Sequence, residues 1–147
     1  MKTPALSIRQ PWAWLILHAG KDIENRSWKR EYTGRILIHA GTTMTRGDYE
    51  ESKSFAKQRG VTNLPSFEEL KKTQCGGIVG EVTLDGYVTK SKSKWYSPKN
   101  DGHVGFVLSD PKPCKIKPCK GKRQFFEPEF DYTDCQKFLR KWGIGKG

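Results

Sequence analysis

Three residues near the N-terminus, Lys21, Glu24 and Arg26, have the types and spacing of a polar reading or reacting site. On an extended segment, residues two apart share a face, so Asp22, Glu24 and Arg26 fall on one side and Lys21, Ile23 and Asn25 on the other. Lys21 follows directly on Gly20, which lets it sit in a turn and swing toward either face. A carboxylate accepts from the exocyclic amines of a base, and a guanidinium donates to its carbonyl and ring acceptors. Glu24 beside Arg26 could therefore read a base edge. The alternative is a structural ion pair. The same groups allow hydrolytic chemistry, with Lys21 holding a water or stabilising an oxyanion and Glu24 or Glu81 as general base. Lysine acts as a base itself only when its pKa is strongly lowered.

A second signal is charge. The chain carries 27 Lys and Arg against 16 Asp and Glu, a net +11. A basic excess of this size favours polyanionic partners. It is also concentrated: residues 86–123 hold ten basic side chains and two acids, Asp101 and Asp110. Within it, Trp95 and Tyr96 interrupt a run containing Lys90, Lys92, Lys94 and Lys99, and a later run includes Lys112, Lys115, Lys117, Lys120, Lys122 and Arg123. Lysines can follow a phosphate backbone while exposed aromatic rings stack on bases. The alternative for Trp95 is a ring packed on the core beneath a solvated lysine loop.

The elements that must hold these residues are short. Ala5–Ile8 alternates like a strand. Pro11 suits the first turn of a helix over 11–19 that carries Trp12, Trp14, Leu15, Ile16 and Leu17, and Gly20 suits its stop. Lys21–Trp28 reads as extended, residues 29–34 as a hairpin connection containing Gly34, and Arg35–Ala40 as a buried strand. A charged helix is expected over 45–59 with Tyr49 and Phe55 as anchors. A shorter one follows Ser66, since Glu69 three residues on completes a capping box. Residues 77–84, 103–109 and 114–118 are further strands, and 134–142 a short terminal helix. Mostly short strands with few helices give an α+β class, a curled sheet or small barrel. With 147 residues and no repeat or long linker, the chain is expected to form one domain over 1–147.

The stretches Leu6-Ser7-Ile8-Arg9-Gln10-Pro11-Trp12-Ala13 and Gly20-Lys21-Asp22-Ile23-Glu24-Asn25-Arg26-Ser27-Trp28 resemble the ASCH domain, a branch of the PUA-like superfamily. The resemblance continues through 34–40, 80–82 and 105–111, covering about residues 4–122 and leaving the tail from Glu127 to Gly147 unassigned. It implies a PUA-like small β-barrel of five to six strands with flanking helices. It also implies a cleft lined by the Lys-x-x-Glu-x-Arg motif, and association with RNA. Arg9, Gln10, Trp12, Lys21, Glu24, Asn25, Arg26 and Trp28 become the candidate nucleoside contacts. Lys92, Lys94, Trp95, Tyr96, Lys120 and Lys122 become the candidate backbone and stacking contacts.

Some members of the family are enzymes. One small type is an amidohydrolase on N4-acylated cytidines that works with a Lys, a Thr and a Glu, and another is a ribonuclease. Lys21 matches the lysine of the first type, but Glu24 stands where that type has Thr, and Ala19 stands where the family has a glycine two residues before the lysine. The catalytic candidates are Lys21, Glu24 and Glu81.

The leading expectation is a binding module for RNA or single-stranded nucleic acid. A hydrolase on a modified nucleoside or RNA is the alternative. No Walker A loop, dinucleotide fingerprint or serine nucleophile elbow is present, which argues against nucleotide-triphosphate hydrolysis and redox chemistry. The four cysteines and three histidines lack the paired spacing of a structural zinc site. No cofactor, metal or membrane partner is expected, and a cytoplasmic monomer is.

Overall fold

The protein is described by a computed structural model covering residues 3–122 and 125–128. The expected terminal helix over 134–142, with Trp142, lies outside the described residues, as does Arg123. The elements run β1 (Ala5–Ser7), α1 (Trp12–His18), β2 (Ile23–Arg26), β3 (Gly34–Ala40), α2 (Arg46–Gln58), α3 (Phe67–Thr73), β4 (Gly77–Val88), β5 (Val104–Pro118) and β6 (Phe125–Phe126). Six strands form one curled sheet in the order β2-β5-β4-β3-β1-β6. Among the described residues only the β1–β3 pair is parallel, with Ser7 in register with His39. The class is α+β, as the pattern of short strands and few helices led us to expect.

The helix α1 explains the layering. Ala13 through Leu17 are all buried, so this short helix is apolar on every side and must be covered on every side. Ala13, Ile16 and Leu17 pack into the barrel core with Leu6, Ile36, Ile38, Val82 and Phe106. Trp14 and Leu15 face a second core shared with Ile23, Met44, Tyr49, Leu70 and Trp95, beneath α2 and α3. Hydroxyls cap the next two helices, at Ser66 as expected and at Thr45 as the structure adds. Thr45 Oγ1 accepts from the Asp48 amide, and Ser66 Oγ accepts from the Glu69 amide at 3.2 Å. Gly20, at φ +76°, turns the chain out of α1, and the Lys21 amide closes back on the Leu15 carbonyl at 3.1 Å.

Two connections differ from expectation. Residues 29–34 do not form a hairpin turn. β2 pairs with β5, with Glu24 opposite Phe106, and β3 pairs with β4. Local turn chemistry indicates a bend, but it does not choose the distant strand that satisfies the backbone on either side. The two strands expected at 103–109 and 114–118 are one strand, β5, bent against β4 by register shifts. Arg35 sits at this bend. Its guanidinium donates to Glu81 Oε1 from Nε (3.0 Å) and Nη2 (2.6 Å), and to Thr83 Oγ1 and the Asp110 carbonyl from Nη1. It thereby ties β3, β4 and β5 together where Asp110 takes φ +49°.

The sheet's outer strands, β2 and β6, do not pair with each other. Side chains span the gap instead. Trp28 lies edge-on to Phe106 (5.3 Å between ring centroids) and to Phe125 (5.8 Å), and Arg26 Nη2 donates to the Ser7 carbonyl at 2.8 Å. The barrel therefore has a seam, bridged by polar and aromatic side chains.

Close approach fixes one glycine in the core. A Cβ at Gly80 would lie 2.6 and 2.7 Å from the Leu17 methyls and 2.9 Å from the Lys112 carbonyl. Gly80→Ala is therefore expected to lower stability by about 1–3 kcal/mol through overpacking between α1 and β4. In contrast, Gly47→Ala, in α2 with open space around it, should raise stability by about 0.5 kcal/mol. Urea unfolding of both variants checks the pair; a Gly80→Ala midpoint at or above the parent's would contradict the packing argument.

Candidate functional site

Glu24 occupies the centre of the site. The residue is 8 % exposed, and two cations hold its carboxylate from opposite sides. Lys21 Nζ donates to Oε1 at 3.0 Å, and Arg26 Nε donates to Oε2 at 2.9 Å. Burial alone would raise the carboxyl's pKa. The charges and hydrogen bonds of Lys21 and Arg26 outweigh it and hold the pKa below the usual value. Lys21 has swung onto the Glu24 face, as the turn at Gly20 allows. It is buried behind the carboxylate, donates also to the Ile23 carbonyl, and lies 5.5 Å from the centre of the Trp12 ring. Asp22 does not join this face; its Oδ1 accepts from Ser93 Oγ at 2.6 Å.

Arg26 is the member that reaches the open side. Nε is held by Glu24 and Nη2 by the Ser7 carbonyl, while Nη1 makes no hydrogen bond among the described residues. Its guanidinium lies 5.7 Å from the Trp28 ring centre. These groups line a cleft of about 1360 Å³ at the seam, together with Arg9, Trp12, Asn25, Lys120 and Lys122. The Glu24 oxygens accept from Lys21 and Arg26, so the group best placed to meet a ligand's polar edge is the Arg26 fork.

The other predicted residues divide. Arg9 is an exposed rim residue with a 3.9 Å contact to Asp48, the kind of surface pair that contributes little. Gln10 is not a ligand group in this structure. It is 2 % exposed, its Nε2 donates to the Gln74 carbonyl, and its Oε1 accepts from the Trp14 amide, capping α1 from within. Asn25 lines the cleft but is also a brace, donating to the Trp95 carbonyl and accepting from the Ser97 amide.

Trp95 is 2 % exposed and packs in the second core near Phe55, so it offers no open face to a base. α2 and the loop over 89–97 close on it, with Arg59 Nε donating to the Lys94 carbonyl and Lys94 Nζ to the Arg59 carbonyl. Tyr96 ties the same loop by donating to the Thr89 carbonyl at 2.7 Å. Lys92, Lys94, Trp95 and Tyr96 thus lie away from the cleft, whereas Lys120 and Lys122 line it. Glu81 also lies outside the cleft, bound to Arg35, which removes it as a base acting beside Lys21.

Two residues that spacing did not single out belong to the cleft: Ser7 and His39. His39 Nε2 faces the Cys119 carbonyl at 2.8 Å, and Nδ1 faces Ser7 Oγ at 3.1 Å. A carbonyl only accepts, so Nε2 carries the proton and Nδ1 is left to accept from the serine hydroxyl. Burial lowers the His39 pKa below the ordinary imidazole value, partly offset by the bond to Cys119, which favours the neutral ring. The only sequence signal was a histidine near the end of an apolar strand. The partner came from a parallel register thirty-two residues away.

Among the described residues no group of three or more His, Cys, Asp and Glu could hold a metal ion, and no helix is long and apolar enough to cross a membrane.

Glu24→Gln should remove the charge that balances two cations, one of them buried, and cost about 3–5 kcal/mol at neutral pH. Because the folded-state pKa of Glu24 is depressed, its contribution is complete above the ordinary carboxylate value near 4.5 and is lost as pH falls through the lower folded value. The stability gap between parent and variant should therefore narrow on acidification below that value. Denaturant melts across pH check this, and a gap that stays constant into strong acid would contradict it.

The ASCH domain family matches residues 6–102, about two thirds of the chain. Activating signal cointegrator 1 of Homo sapiens is 28 % identical over 127 residues; the match covers 83 % of this chain and 22 % of that protein. The ASCH protein of Zymomonas mobilis superposes with a TM-score of 0.52 at 15 % identity, covering 95 % of this chain and 94 % of that one. A crystal structure of a point mutant of the same Zymomonas mobilis protein superposes with the same score. These likenesses support the PUA-like architecture, and the match across the opening motif and the cleft strands settles the family: this chain belongs to the ASCH domain family.

Proposed function

We propose that this chain binds single-stranded nucleic acid, RNA by preference, by receiving one unstacked base or nucleoside in the cleft at the barrel seam. The observation that carries this reading is the placement of the Arg26 fork. It is fixed by Glu24 and the Ser7 carbonyl, lies beside the Trp28 ring, and opens into a cleft lined also by Trp12, Arg9, Lys120 and Lys122. A guanidinium donates to carbonyl and ring-nitrogen acceptors. With the Glu24 oxygens engaged by Lys21 and Arg26, the cleft selects a base edge by its acceptors. The tryptophans supply apolar and stacking surface, and the rim cations follow the phosphates on either side. A cleft that takes a splayed-out base suits single-stranded RNA better than an intact duplex. The lysines of the loop over 89–97 are not among the cleft-lining residues and belong to this reading only as long-range attraction.

Binding of a short single-stranded RNA, followed by fluorescence anisotropy across a salt series, should weaken linearly in log–log form. Replacing both Lys120 and Lys122 by Ala should lower the slope by about 1.4, at about 0.7 per phosphate contact. Arg26→Lys keeps the charge but loses the fork, and should weaken binding by about 1–3 kcal/mol with the slope unchanged. Absent binding, or binding indifferent to salt, would overturn the reading.

A further inference from the structure

We propose that Ser7 and His39 form a nucleophile–base pair on the floor of this cleft, acting on a carboxylic ester carried by a sugar hydroxyl of the bound nucleotide. The choice of a nucleotide ester rests on the reading above; the pair itself does not. Three features converge. The parallel β1–β3 register sets Ser7 opposite His39, with Oγ 3.1 Å from Nδ1. The Cys119 carbonyl holds Nε2 at 2.8 Å, fixing the tautomer that leaves Nδ1 basic. Nucleophile, base and a third group that orients the base are the arrangement by which an activated serine is recognised. Arg26 adds the electrophilic element. Its guanidinium is anchored on Ser7's own carbonyl, and its Nη1 is unspent among the described residues.

A glycine lies directly over the pair. A Cβ at Gly121 would fall on the His39 ring and on Ser7 Oγ, closer than side chains ever pack, so only glycine fits over this hydroxyl and imidazole. Ser7 and His39 are both among the residues that line the cleft beside Arg26 and Lys120.

The reaction balances with water alone. Ser7 Oγ attacks the ester carbonyl carbon while its proton passes to His39 Nδ1, and the imidazolium keeps its Nε2–H on the Cys119 carbonyl. The oxyanion forms beside Arg26. Its collapse breaks the bond between the acyl carbon and the sugar oxygen, which leaves with the proton from Nδ1. Water then attacks the acyl-serine and gives its proton to Nδ1. The acid departs, and Oγ recovers that proton. The partner of the base is a neutral carbonyl and not a carboxylate, so the imidazolium is less stabilised than in a full triad. That favours esters, whose alkoxide leaves more readily than an amine.

The test is labelling by a fluorophosphonate, which reacts with activated serines, followed by peptide mapping. The folded parent should be modified at Ser7. The label should vanish in Ser7→Ala and form about a hundredfold more slowly in His39→Gln. In the parent, which needs no variant to fold, the labelling rate should rise with pH as His39 loses its proton and level off by neutral pH. Hydrolysis of an O-acetylated nucleoside should follow the same pattern. No labelling of Ser7 above that of the unfolded chain, or equal labelling in a folded His39→Gln, would overturn the pair. Hydrolysis of a simple phenyl ester without the nucleoside ester would overturn the substrate class. RNA retention by the parent, measured on the same sample, separates the two readings. RNA retained with Ser7 silent sinks the pair, and Ser7 labelled without RNA retention sinks the reader.

Discussion

One buried carboxylate organises this molecule's working face. Glu24 sits in β2 with almost no access to water, and a lone carboxylate there would be costly. Lys21 and Arg26 remove that cost from opposite sides, and each is itself placed by the bond it makes. Lys21 is drawn inward behind the strand. Arg26 is drawn across the open side of the sheet, where its second nitrogen finds the Ser7 carbonyl. One electrostatic requirement therefore produces both a sealed interior cation and a presented one.

The same interaction compensates for incomplete closure of the barrel. β2 and β6 do not hydrogen-bond to each other, so side chains do at the seam what a backbone ladder does elsewhere. Arg26 supplies a polar cross-link, and Trp28 with Phe106 and Phe125 supplies an aromatic one. A seam closed by side chains can leave a cleft that a continuous ladder would fill. The polar groups there are held by neighbours and so arrive at a ligand already oriented. The histidine on the cleft floor follows the same logic, since both ring nitrogens are engaged by groups from other segments of the chain.

The distribution of positive charge also follows from the sheet. The lysines of residues 86–123 fall in two runs, one before β5 and one from Lys112 onward, and the fold sends their ends to different places. The loop that precedes β5 folds onto α2, where Lys94 and Arg59 exchange hydrogen bonds with each other's carbonyls over Trp95. The residues after β5 reach the cleft, and only there do lysines stand beside Arg26 and the tryptophans. The basic stretch of the sequence is thus divided in the fold between the loop packed on α2 and the rim of the cleft.

What could be read without coordinates was local or compositional. The α+β class follows from strand and helix periodicities. The start of α3 follows from Ser66, whose hydroxyl bonds the amide three residues on, and the turn after α1 follows from a glycine able to adopt positive φ. The proximity of Lys21, Glu24 and Arg26 was legible because two-residue and turn spacings operate over a few ångströms of chain. Their division of labour was not, because burial of Lys21 and exposure of Arg26 depend on what packs behind β2. The hairpin expected over 29–34, the stacking alternative for Trp95 and the ligand role expected of Gln10 failed for a shared reason. Each depended on partners remote in sequence: β5 for β2, α2 for Trp95, and the Gln74 carbonyl for Gln10. The Ser7–His39 pair was invisible for the same cause, since a parallel register is set by the crossover between two strands and not by either strand. Residue order thus set the chemical inventory, the local elements and the charge. Which of those groups face one cleft was left to the folded chain, because long-range pairing chooses the side of the sheet on which each side chain emerges.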